Sequence, residues 1–158
     1  MNPTRRRLMV PTAVIHNQED FMGIALLAGR ILYAYLFIMS GLGHLTQPKM
    51  MAGYAASKGV PAPGALVLAS GALEIVGGLL IAFGYQAQWG AWMIVAFLVP
   101  VTLMMHAFWT VADPAAKMHE MVNFNKNLAL LGAALVIAYF GSGPYSLQHP
   151  DALDFLKH

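Results

Sequence analysis

The chain has 158 residues, 58% of them hydrophobic and only 10% charged, with a formal net charge of +2 and no cysteine. A soluble domain of this size carries about 25% charged residues, so lipid is the solvent this composition suits. Scattered basic residues argue against nucleic acid as a partner, and the lack of thiols removes disulfide exchange, iron–sulfur ligation and thiolate zinc sites.

The first twenty residues read as a polar amino-terminal segment. Arg5, Arg6 and Arg7 precede a short apolar run that meets Pro11 and then the polar stretch His16 to Asp20. This pattern does not make a signal peptide. From there to residue 141 the chain reads as one all-α transmembrane domain, a bundle of four helices. The spans run from about Phe21 to Leu45, Ala65 to Phe83, Trp89 to Trp109 and Met121 to Phe140, each near the 20 apolar residues that a bilayer requires. A short interfacial helix fits Met50 to Ser57. The turn at Gly84 to Gln88 is tight, which makes the second and third spans antiparallel neighbours. Asp113-Pro114 suits the start of a separate short helix. Residues 142–158 form a polar tail. Four crossings put both ends on one face, and Arg5 to Arg7 favour the cytoplasm for it.

Each span holds one ionisable residue: Arg30, Glu74, His106 and Lys126. A charge at the bilayer centre costs about 2.5–3.5 kcal/mol on insertion scales, so such groups face the bundle interior and pair. The four are therefore expected to meet. On the first span Gly23, Arg30, Ala34, Phe37, Gly41 and His44 share a stripe, and on the second Ser70, Glu74, Gly77 and Gly84 do. Val95, Val99, Thr102, His106 and Trp109 line up on the third, and Asn123, Asn127, Leu130 and Ala134 on the fourth. Arg30 and Glu74 fall near mid-span. His44, His106, Asn123, Lys126 and Asn127 gather toward the face opposite the termini, where a polar pocket should open.

Each residue also has a plainer reading. Arg30 and Glu74 suit a structural pair fixing helix register, Lys126 a snorkelling lysine, His44 a helix-end residue, and Trp109 an interfacial aromatic. His106, set in an apolar run, is harder to explain structurally, because its proton exchange lies near neutral pH. His44, His106 and His119 lack metal-ligand spacing, so no metal site is expected.

Four segments carry a family likeness. They are Gly29 to Leu32 with Phe37 to His44, Gly71 to Gly78, His106 to Trp109, and Asn123 to Leu128. In order and separation they resemble the DoxX family of small bacterial membrane proteins, over about Phe21 to Tyr145. The resemblance implies a four-helix inner-membrane bundle, with Arg30, Glu74, His106 and Lys126 at the family's polar positions. Relatives of the family are linked to a thiosulfate:quinone oxidoreductase and to oxidative-stress defence.

The function this favours is a membrane subunit of a quinone-linked oxidoreductase. A quinone site needs a proton source, His106 or Glu74, and a cation that stabilises developing negative charge, Arg30 or Lys126. Asn123, Asn127, His44 and Trp109 are the candidate contacts to the ring. No haem, flavin or iron–sulfur motif is visible, so electrons would come from a soluble partner subunit or a substrate. A scaffold that docks a redox enzyme at the bilayer is one alternative. A small anion or solute permease, working as a homo-oligomer, is the other.

Overall fold

The computed structural model describes the backbone of residues 12–148 and the side chains of residues 21–148. Arg5, Arg6 and Arg7, on which the expected orientation rests, lie outside the described residues. Five α-helices follow one another: α1 (Thr12–Thr46), α2 (Pro48–Ser57), α3 (Pro63–Phe83), α4 (Ala87–Met105) and α5 (Pro114–Phe140). A single 3-10 turn, Phe108–Thr110, joins the last two. Among the described residues there is no strand.

Four of the helical segments are long and apolar enough to cross a membrane: Phe21–Thr46, Pro63–Phe83, Ala87–Thr110 and Pro114–Phe140. Their outer faces carry Leu32, Tyr35, Trp89, Leu103, Val136 and Phe140, all exposed. Such surfaces would aggregate in water and are stable against lipid tails. The protein is an integral membrane protein.

Close approach of glycines sets the helix order. A Cβ on Gly41 of α1 would stand 2.6 Å from the carbonyl oxygen of Gly71 on α3, and one on Gly90 of α4 would stand 2.7 Å from that of Gly77. Small residues thus let α1 lie on α3, and α3 on α4, at backbone contact. α5 lies along α4. The ring closes through longer side chains: Tyr33 on α1 donates to the Leu130 carbonyl of α5 at 2.9 Å, and Phe37 meets Phe97 of α4 edge-on at 6.5 Å.

The expected inner stripe of α1 is the observed one. Gly23, Arg30, Ala34, Phe37 and Gly41 are buried, with His44 half-buried. That of α4 is rotated by about 60°, with Thr102 on both faces. Its buried face is Ala87, Ala91, Ile94, Leu98 and Thr102, while Val99 and Trp109 are exposed. The contact between Gly90 and Gly77 selects that face. α4 also ends at Met105, with His106 as its C-cap.

The fourth crossing begins earlier than its hydropathy suggests. Asp113 caps it, its carboxylate accepting from the Ala116 amide at 2.7 Å, and Pro114 occupies the first turn. No separate short helix intervenes. The segment after α5 also differs from a free polar tail. Tyr145 and Pro144 lie against the α1 backbone at Gly23, and the Leu147 amide donates to the Phe83 carbonyl at 3.1 Å.

Candidate functional site

The four ionisable residues do not converge. Arg30 is 6% exposed, and its guanidinium donates to the carbonyl oxygens of Ser142 and Tyr145 in the returning tail. It packs under Gly84, whose left-handed φ of 64° ends α3 and where a Cβ would lie 2.9 Å from the Arg30 Nη1. Glu74 stands about 15 Å further along the α3 axis, ten residues away at 1.5 Å each. The expected Arg30–Glu74 pair is therefore absent. Arg30 sits at the tail end of the bundle instead of mid-span, because backbone carbonyls of the tail satisfy its charge.

Glu74 is fully buried, with 0% exposure. Its ionic contact is His44, whose Nδ1 lies 3.4 Å from Oε1. Ser40 borders the same carboxylate, yet neither oxygen completes a hydrogen bond among the described residues. The Ser70 hydroxyl donates to the Val67 carbonyl at 3.0 Å, so its oxygen accepts from His44 Nδ1 at 2.8 Å. That leaves Nε2 of His44 as the free nitrogen, an acceptor when the ring is neutral and a donor when it is charged.

A second imidazole–carboxylate pair lies toward the face opposite the tail. His106 Nδ1 donates to Glu120 Oε2 at 2.8 Å, and Lys58 Nζ donates to Glu120 Oε1 at 2.9 Å. Tyr54 of α2 reaches the same oxygen at 3.4 Å. One carboxylate thus ties the loop after α2 to α5 and to the end of α4. Its hydrogen bond holds Lys58 above the ordinary lysine range, outweighing the opposing effect of burial.

Between the two pairs is a cavity of about 570 Å³. All five helices line it, mostly with apolar side chains such as Phe37, Val67, Leu73, Phe97 and Met105. Its polar lining includes Ser40, His44, Tyr54, Ser70, His106, Lys126 and Asn127. Asn127 is 6% exposed, and its carboxamide makes no hydrogen bond among the described residues. Pro100 also lines the wall, as does Ala96. A proline has no amide hydrogen, so the hydrogen bond that the Ala96 carbonyl would otherwise accept from residue 100 is missing.

The remaining candidates separate. Lys126 stays exposed, bonded to Asn123 at 3.2 Å, with its stem on the cavity rim. Asn123 does not line the cavity. Trp109 lies outside it in an aromatic cluster with Phe108 and Phe124, at centroid distances of 5.2 and 5.6 Å. His106 pairs with Glu120 and not with Glu74.

Glu120 and Lys58 were not legible as site residues from hydropathy, because both fall outside the apolar stretches. A signal was nevertheless present. With Asp113-Pro114 taken as the start of α5, Glu120, Asn123 and Asn127 recur at spacings of three and four, on one helix face.

Comparison with known proteins agrees with this architecture. The DoxX family profile matches residues 25–107, just over half of the chain. The inner membrane protein YphA of Escherichia coli (strain K12) is 30% identical over 130 residues, covering 79% of this chain and 89% of YphA. The inner membrane protein YqjF of the same organism is 31% identical over 125 residues, covering 79% and 90%. No solved structure matches. With a matched span that takes in both the glycine-packed helices and the His44–Glu74 pair, the chain belongs to the DoxX family.

Proposed function

We propose that the protein is a membrane subunit that binds a quinone head group in the cavity among its helices and exchanges protons with it. The observation that carries this reading is Glu74. A carboxylate with no exposure and no completed hydrogen bond is costly to keep in a membrane interior, unless it serves a proton or a ligand. It backs His44, which faces an apolar cavity large enough for a ring-shaped molecule.

The residues divide the work. The Ser70 hydroxyl fixes the tautomer and tilt of His44. Glu74 stabilises the imidazolium when His44 takes up a proton. Phe37 and Phe97 keep water from the ring-binding volume, which strengthens each hydrogen bond made inside. A quinone bound there would supply two-electron, two-proton chemistry, with the electrons delivered by a soluble partner enzyme. Arg30, about 15 Å away along the helix axis, is not part of this site. The names of YphA and YqjF support a place in the bacterial inner membrane. The positive-inside rule applied to Arg5, Arg6 and Arg7 turns the tail end toward the cytoplasm.

The test is a binding titration of the purified protein in lipid nanodiscs with a quinol analogue. The folded wild-type bundle binds saturably, and Glu74→Gln and His44→Ala each weaken binding about tenfold or more, in line with the loss of a hydrogen bond to a charged partner. A folded wild-type protein that shows no saturable binding overturns the reading. Recovery of a soluble redox enzyme with that non-binding protein would favour the docking role instead.

A further inference from the structure

α1 rests on α3, and α5 on α4, but α1 and α5 do not pack on each other along their length. On α1, Ala34, Ile38 and Gly41 touch α3. Tyr33, Leu36 and Ser40 recur at spacings of three and four on a different side of that helix. Tyr33 reaches α5 from there, at the Leu130 carbonyl. Leu36 and Ser40, further from the tail, line the cavity, as do Lys126, Asn127 and Leu130 of α5. Leu36 and Lys126 are also exposed. Both therefore stand on the cavity wall and on the surface that meets lipid, which makes the seam between α1 and α5 a side entrance.

We propose that this seam binds a long-chain carboxylic acid taken from the bilayer, with its carboxylate on Lys126 and its chain in the cavity. The site does not rest on the quinone reading. It gives a partner to a cation that otherwise has none.

Lys126 is exposed on a membrane-spanning helix, six residues or about 9 Å further into the span than Glu120. Its Nζ donates to the neutral carboxamide of Asn123 at 3.2 Å. No carboxylate pairs with it among the described residues, and Glu120 is already taken by Lys58 and His106. An unpaired ammonium facing hydrocarbon is costly, and an anion supplied by the membrane relieves that cost. Asn127 points to the same ligand independently. It is 6% exposed, lines the cavity and makes no hydrogen bond among the described residues. A carboxylate has two oxygens, one to accept from the ammonium and one from the carboxamide. The apolar wall beyond, from Phe37, Leu73, Phe97 and Val101, suits the chain. With a volume of about 570 Å³ the cavity has the size of a site for one small ligand, which fits a single chain better than the two chains of a phospholipid.

The experiment is photolabelling of the protein in phosphatidylcholine nanodiscs with palmitate bearing a mid-chain diazirine, followed by peptide mapping. Labelling should saturate and map to the seam and cavity segments of α1 and α5. Oleate should compete about tenfold or more better than oleyl alcohol, which offers a similar chain without the charge. Lys126→Met should remove that preference, and Asn127→Leu should reduce it several-fold. Lys117→Met, on an exposed part of α5 that does not line the cavity, should leave it intact. Labelling that does not saturate overturns the site. So does equal competition by acid and alcohol on the folded wild type, or a full preference kept by folded Lys126→Met. Phosphatidylglycerol that blocks labelling as strongly as oleate at equal concentration overturns the choice of a free acid.

Discussion

The two ends of this bundle treat buried charge in opposite ways. At the tail end, Arg30 is enclosed by close-packed backbone, its guanidinium on the carbonyls of Ser142 and Tyr145, next to a core of Ala34, Ile81, Ala91, Ile94 and Ala134. It is not among the residues that line the cavity described above. At the other end, α2 and the proline-containing α4 line a cavity, and two imidazole–carboxylate pairs meet it through His44 and His106. Backbone carbonyls cannot change protonation, so they suit a permanent structural clamp. Imidazole–carboxylate pairs can, so they suit exchange with a ligand. The contrast sets the half proposed to take a ligand against a half built for rigidity.

Removing the clamp should give the largest effect on stability. Arg30→Ala leaves two carbonyls without their donor and opens a void, and should cost about 3 kcal/mol or more. Denaturant unfolding in mild detergent measures it. Quinol-analogue affinity per folded molecule should be unchanged, and a parallel loss of affinity would erase the distinction between the two ends. Gly90→Val probes the same rigid region. Its Cβ would sit 2.7 Å from the Gly77 carbonyl, forcing α3 and α4 apart at a cost of about 2–3 kcal/mol.

Glu74→Gln should behave in the reverse sense. It removes a buried charge that lacks hydrogen bonds, so stability should hold or rise by about 1 kcal/mol, while ligand binding weakens. Marked destabilisation of the variant would class Glu74 with Arg30 as structural. The smallest effect belongs to the tie between α2 and α5. Lys58→Met should lower stability by about 1 kcal/mol at neutral pH. Because the Lys58 value is raised on folding, its contribution is full below the ordinary lysine pKa and is lost as pH climbs through the raised folded value. Melting curves of wild type and variant should therefore differ at neutral pH and converge in strong alkali.

Much of this arrangement is legible in the sequence. The inner stripe of α1 follows from small and ionisable residues recurring at spacings of three, four and seven, a signal that helical geometry cannot hide. The same logic placed Glu74 on a glycine-lined face and the polar pocket on the side away from the tail. It failed where a choice of partner was involved. Arg30 is held by main-chain carbonyls, which every sequence supplies and no residue type advertises. On α4 the actual face is turned by about 60°, with Thr102 common to both, because a glycine contact with α3 outweighed the apolar pattern of a helix that is hydrophobic all round.

The sequence by itself determined the solvent, the number of crossings, the glycine faces and the family, because these depend on local composition and periodicity along one chain. Only the tertiary structure decided which charges are neighbours. Depth along a span and rotation about its axis must both be right for two side chains to touch, and each is fixed by packing between helices far apart in the chain. That is why Glu120, outside every apolar stretch, stands behind a histidine of the cavity wall, and why Arg30, inside one, is held by the tail.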